Sequence, residues 1–304
     1  MSGGDHWSRR QEIGGPALIE FALRTLPTMP PALSSTIIWL IALVMTAAPG
    51  RAANAASRSY LERALGREPR FGDVLRQTVT FSHVLLDRAR LLTRGTQGFA
   101  IDVQGGEVVR QCVAAGRGGV LLGAHFGSFE ALRAAEEWLP GLRVRYLMFT
   151  RHASHSHGAL SRLNPDVAAR VIDLGDGPLA MLSVVEALST GEFVAFLGDR
   201  SPAQGILREV RAPFFGAPMA VPASPYAAAM VAGAPIILCF APRIGPMRYA
   251  ARFTQLHDGA PTPRAERREL TQQLAERYVA ELETLCRHHP YNWFNFHDVW
   301  SHGV

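Results

Sequence analysis

Short, wholly apolar runs, two of them ending abruptly in polar residues, restrict what this chain can fold into more than any other feature. Val120 to Ala124 runs into His125 and Phe193 to Leu197 runs into Gly198-Asp199-Arg200, while Pro235 to Phe240 is a third apolar run without a polar end. Apolar runs of this length between turn signals read as strands buried on both faces. Shorter strand patterns lie at Phe99 to Val103, Val144 to Phe149, Ala169 to Asp173 and Tyr249 to Phe253, with Ile206 to Arg211 as a weaker candidate. Helical patterns alternate with them: Gly106 to Ala115, Ser128 to Trp138, Pro178 to Leu188, Pro222 to Val231 and Arg264 to His289. Strands buried on both faces and separated by helices predict an α/β fold. Its central sheet is mostly parallel or mixed, with helices on both sides.

The first ninety residues differ, being helical without strands. Met1 to Gly15 reads as flexible, Pro16 to Leu26 as a short amphipathic helix, Ala52 to Leu65 as a helix closed by Gly66, and Phe71 to Leu92 as another. The expected organisation is an N-terminal helical region over residues 1–95 and an α/β domain over 96–304.

Between Thr25 and Gly50 the chain carries no charge, and its centre, 32–48, is rich in Ile, Leu, Trp and Val. A helix of that length rises about 25 Å, slightly less than a hydrocarbon core of roughly 30 Å. Pro27, Pro30 and Pro31 prevent extension upstream, and arginines flank both sides. Three readings stay open at this point: a membrane-inserted or interfacial anchor, a buried helix, and a signal segment.

Composition narrows the function classes. Hydrophobic residues make up 48% of the chain and charged ones 19%, below the apolarity of a multi-span membrane protein. Net charge is +5, and since the chain has no lysine, all 31 cationic side chains are arginines. A GC-rich coding bias explains that, and so does attraction to anionic lipid or an acidic partner. No nucleic-acid motif accompanies the charge, so a nucleic-acid partner is not expected. Cys112, Cys239 and Cys286 are widely spaced with no CxxC pair, which suits reduced thiols in apolar surroundings. His152, His155 and His157 lie close together without a Cys or Glu partner, so no metal site is expected. No serine-hydrolase elbow, Walker loop or dinucleotide loop is present, and no cofactor is called for.

In open α/β sheets function collects at the carboxyl ends of strands, and two strands here end in polar clusters. At the first, His125 stands on a strand-to-helix turn and Glu130 follows in the first helical turn. A neutral imidazole takes a proton from a hydroxyl near pH 7, and a nearby carboxylate fixes its tautomer. The simpler account is a core histidine and a surface glutamate favoured by the helix dipole. The helix start near Ser128 offers N–H groups for an anion. Arg133, one turn after Glu130, is either a phosphate ligand in the same cleft or a surface arginine. At the second strand end, Asp199 and Arg200 are either a structural ion pair or part of the site, with Arg200 holding a phosphate or Asp199 orienting the site. Pro213-Phe214-Phe215-Gly216-Ala217-Pro218 reads as a turn or as a lipid-binding wall, and the aromatic stretch Pro290 to Trp300 as a packing cap or a cluster near lipid headgroups.

His125-Phe-Gly-Ser-Phe-Glu130 matches the His-x4-Asp/Glu motif of glycerolipid-type acyltransferases. With Gly198-Asp199-Arg200, Pro213-Phe-Phe-Gly216 and Trp293-Phe-Asn-Phe296 in order, the chain resembles the late acyltransferases of lipid A biosynthesis, the lauroyl and myristoyl transferases of the bacterial inner membrane, from Pro16 to Trp300. The resemblance implies an enzyme held by an N-terminal apolar helix at the cytoplasmic face of the inner membrane. It implies acyl transfer from acyl carrier protein to a lipid hydroxyl, with His125 as general base and Glu130 orienting it. The Asp199-Arg200 pair and the loop after it look closer to a broader branch found beside polyketide-like and aryl-polyene gene clusters. An acyl-CoA donor, another glycolipid or an aryl-polyene-type acceptor, and a catalytically silent lipid-binding protein therefore stand as alternatives.

Overall fold

The computed structural model describes residues 25–48, 52–133, 141–148, 169–200 and 208–300, with the side chain of Arg133 excepted. The described chain opens with a 3-10 turn at Leu26–Thr28, followed by helices α1 (Pro31–Ala47), α2 (Ala52–Leu65) and α3 (Phe71–Arg94). Then come β1 (Ala100–Gln104), α4 (Glu107–Ala114), β2 (Gly119–Gly123), α5 (Phe129–Arg133), β3 (Val144–Met148), β4 (Val171–Asp173), α6 (Pro178–Ser189) and β5 (Phe193–Leu197). The remainder is β6 (Glu209–Phe214), β7 (Ala217–Pro222), α7 (Ser224–Ala232), β8 (Ile236–Phe240), β9 (Arg243–Gly245), β10 (Arg248–His257) and α8 (Arg267–His288).

Eight strands form one mixed sheet in the order β1-β10-β8-β2-β5-β3-β4, with β9 paired to β10. The pairs at its centre, β8–β2 and β2–β5, are parallel, and β10 enters antiparallel to β8. The expected α/β sheet is thus present, and the apolar runs are its middle. Alternate residues of each run point to opposite faces. Val120, Leu122, Val194, Phe196, Ile236 and Leu238 join one core with residues of α2, α6, α7 and α8. Leu121, Phe193, Ala195, Ile237 and Cys239 join the other, with residues of α3, α4 and α5. Each fully buried Val, Leu, Ile or Phe contributes about 1.5–3 kcal/mol, so the central strands are fixed from both sides.

Three local readings shift. The stretch around Phe215 is a turn, the tip of a separate β6–β7 hairpin whose strands take in Pro213 and Pro218 and carry the weaker strand candidate past Arg211 to Phe214. Phe215 and Gly216 both have positive φ, 49° and 76°, as a two-residue turn matched to strand twist requires. Pro213 and Pro218 face one another in this two-stranded ribbon, where outward-facing edge positions need no N–H. That hairpin takes up Pro222, so the helix read from there begins at Ser224. Strand β10 extends ten residues to His257, and β9 has no apolar run to announce it. The reading of Met1 to residue 24 lies outside the described residues, as do residues 134–138 of the Ser128 to Trp138 helix, Phe149, Ile206, and His152, His155 and His157.

Helix α1 is turned against its own composition. Its buried ridge is Ser34, Ile38, Ala42 and Thr46, spaced by four and packed on α3. Large apolar side chains face outward, Trp39 at 50% and Val44 at 71% exposure, with Leu33, Leu40, Ile41 and Leu43 also exposed. Among the described residues no single helix is long and apolar enough to cross a membrane; α1 and α2 meet that test only as a bent pair.

A buried polar knot fastens these helices to the sheet. Asp87 of α3 accepts hydrogen bonds from Tyr249 Oη of β10 at 2.8 Å and Arg243 Nε of β9 at 3.2 Å. Arg90 pairs with Asp87 at 3.5 Å and donates from Nη2 to Ser34 Oγ of α1 at 3.0 Å. Removing one member of such a cluster leaves its partners charged and unpaired. Asp87→Ala is expected to destabilise the protein by about 3–5 kcal/mol in urea denaturation; a loss below about 1 kcal/mol would show that the knot does not hold the helices.

Candidate active site

Strand register brings the two polar strand ends together. On β2 and β5, Gly123 lies opposite Leu197. Two residues further along each strand, with side chains returned to the same face, stand His125 and Asp199. His125 Nδ1–H donates to Asp199 Oδ1 at 2.8 Å, and the His125 backbone N–H donates to the same oxygen at 3.0 Å. Asp199 is 1% exposed, whereas the His125 side chain keeps 31% of its surface.

The turn after β2 is fixed by close packing. Gly127 has φ +64°, and a Cβ there would lie 1.9 Å from the Ala241 carbonyl oxygen, so only glycine fits. Its N–H donates to Asn292 O at 2.9 Å, and the Ser128 N–H donates to Ala241 O at 2.9 Å. The Phe294 N–H donates to His125 O at 2.7 Å. The end of β8 and residues 292–294 therefore grip the turn from two sides.

The expected residues divide. His125, Asp199 and Arg200 converge, and Arg200 Nη2 donates to Phe294 O at 2.7 Å. Glu130 is not the carboxylate on the imidazole. It is buried on the first turn of α5, and its Oε1 pairs with Arg88 Nε of α3 at 2.5 Å. The reversal at Gly127 sends α5 onto α3, which turns the five-residue spacing away from His125. Spacing along the chain suggested Glu130 as the orienting acid, but the hydrogen bond on Nδ1 comes from a residue 74 positions away. Ser128 is buried and its Oγ accepts from Ala131 N–H at 3.1 Å, capping α5. With the Gly127 and Ser128 N–H groups both engaged, two of the donors expected at this helix start are already taken. Arg133 ends the described part of α5, and its side chain lies outside the described residues.

Sequence reasoning missed Trp293. Read as part of a cap or a headgroup-facing cluster, it is buried at 1% and its Nε1–H donates to Asp199 Oδ2 at 2.9 Å. Its ring packs edge-on against Tyr60 at 4.7 Å and Phe214 at 5.1 Å. The only sequence signal was its place in a terminal block that travels with the His125 motif.

The electrostatics favour a neutral imidazole beside an ionised carboxylate. Burial pushes His125 below its ordinary value, the Arg200 and Arg88 charges add to this, and Asp199 opposes them. Burial disfavours the Asp199 charge, yet the charge and hydrogen bonds of His125, together with Arg200, hold it well below the usual carboxylate range. A carboxylate only accepts, so the hydrogen-bonded Nδ1 carries the proton and Nε2 carries the lone pair. His125 is expected to titrate below about 6.5 in heteronuclear NMR of histidine-labelled protein. A midpoint at or above that value would contradict this electrostatic balance.

Comparison with curated proteins finds no match. The family model described as bacterial lipid A biosynthesis acyltransferase matches residues 9–302, a span that includes both strand ends, the β6–β7 hairpin and the segment around Trp293. The chain therefore belongs to the bacterial lipid A biosynthesis acyltransferase family.

Proposed function

We propose that this acyltransferase moves a fatty acyl group from the thioester of acyl carrier protein to a hydroxyl of a lipid A-type acceptor, with His125 as general base. In this reading Nε2 of His125 removes the hydroxyl proton, and the oxygen attacks the thioester carbonyl. The C–S bond of the tetrahedral intermediate breaks as the ester carbonyl re-forms, and the imidazolium returns its proton to the departing thiolate. Atoms balance as one ester and one thiol, and no acyl-enzyme is required. Asp199 holds the productive tautomer and stabilises the imidazolium, as the acid of a Ser-His-Asp triad does. The observation that carries the proposal is the Asp199 Oδ1 to His125 Nδ1 hydrogen bond of 2.8 Å at adjacent strand ends, in a member of this family.

Glu130 enters this mechanism indirectly. Arg88 lies close enough to His125 to disfavour the imidazolium, and the Glu130 carboxylate offsets that charge. The outward apolar face of α1 supports a seat on a lipid surface, since exposed Trp39, Leu40 and Val44 gain by burial there. In this reading the catalytic body lies at the cytoplasmic face of the inner membrane, close to its lipid acceptor.

His125→Ala is expected to lower acyl transfer from acyl carrier protein to a lipid A precursor by ~10²–10⁴-fold, followed by mass spectrometry of the product, with the thermal midpoint little changed. Asp199→Asn should also reduce turnover strongly. Near-parent turnover in His125→Ala would remove the general base, and near-parent turnover in Asp199→Asn would remove its orienting acid.

A further inference from the structure

The carboxylate of Asp199 is held by two donors that can never be acceptors. Oδ1 receives the His125 backbone N–H and Oδ2 receives the Trp293 indole N–H. Neither a peptide N–H nor an indole N–H has a lone pair to offer. Both donors favour the ionised carboxylate, in which either oxygen can only accept. The remaining contact, with His125 Nδ1, must then run from nitrogen to oxygen. The two donors from His125 share one oxygen, so the donor that fixes the other oxygen, and with it the carboxylate plane, is Trp293.

Trp293 is itself held firmly. Its carbonyl accepts from Gln77 Nε2 at 2.7 Å, it pairs with Phe126 in an antiparallel bridge, and its neighbours Asn292 and Phe294 bond the main chain of Gly127 and His125. One tripeptide thus grips the histidine through the main chain and the aspartate through a side chain. From this geometry we infer that Trp293 is a positioning residue of the proposed base: its indole N–H locks Asp199 as an oriented carboxylate and His125 in the tautomer that leaves Nε2 free to take a proton. The inference rests on the general-base reading of His125.

The other groups facing this pair do not replace the indole. Arg200 and Arg88 act on His125 as charges, and Tyr278 and Cys286 of α8 lie near Asp199 with both side chains held neutral by burial. Removing the indole N–H concentrates negative charge on Asp199 and makes its partner imidazole more basic. The acid limb of the kcat/KM profile should then move to higher pH.

The test is Trp293→Phe in the full-length protein, assayed with acyl carrier protein thioester and lipid acceptor across pH, beside His125→Ala. The expected result is about a tenfold lower kcat, KM within about twofold of the parent, and an acid limb raised by about one pH unit. A packing role alone would lower stability without moving the limb. Should Trp293→Phe fail to fold, replacing Trp293 with benzothienylalanine, which keeps the indole shape and has sulfur in place of N–H, gives the same readout. A parent-like kcat and acid limb in the folded variant, with His125→Ala inactive, overturns the positioning role alone. Full activity in His125→Ala overturns both readings.

Discussion

The register of β2 between β5 and β8 is the constraint on which the rest of the molecule depends. Three buried strands run parallel, with side chains locked into cores on both faces. A one-residue slip would exchange every inward and outward side chain. It would also separate His125 from Asp199, since their pairing is the same register carried two residues past the hydrogen-bonded ladder. Packing that stabilises the sheet and geometry that makes the site are therefore one specification. Gly127 shows how tight it is, with no room for even a methyl group against Ala241.

Polar groups in this structure are buried where they join elements. Asp87, Arg90, Arg243, Tyr249 and Ser34 tie α1 and α3 to β9 and β10. Asp199, Trp293 and His125 tie the segment after α8 to the two central strands. Buried polar networks add direction to cores whose apolar contacts have none. The exposed side of α1 follows the opposite logic. Three of the four residues buried on its ridge, Ser34, Ala42 and Thr46, are small or hydroxyl-bearing and let two helices approach closely, while Trp39, Leu40 and Val44 face outward.

The sheet was legible because buried parallel strands leave continuous apolar runs, and both polar strand ends could be marked before any coordinates. Their meeting was not legible in the same way, since it depends on β2 and β5 being neighbours with β3 and β4 beyond them. Proximity in sequence favoured Glu130 over Asp199 as the partner of His125, and the reversal at Gly127 defeats that inference. The β6–β7 hairpin was obscured by its prolines, which usually argue against strands but are tolerated in a two-stranded ribbon. Trp293 was hidden for a third reason. A tryptophan in an aromatic stretch suits a core or a headgroup layer equally well, and only the Asp199 oxygen beside its N–H distinguishes a third use.

The grip of residues 292–294 on the turn after β2 also has a temporal side. Trp293 follows Asp199 by 94 residues and Gln77 by 216. Chains are made from the N-terminus, and contacts between distant residues close late because the intervening chain must first be ordered. On the ribosome, the sheet strands that present His125 and Asp199 are synthesised well before the tryptophan that completes their surroundings. A nascent chain thus carries His125 and Asp199 before the segment that grips them has been made.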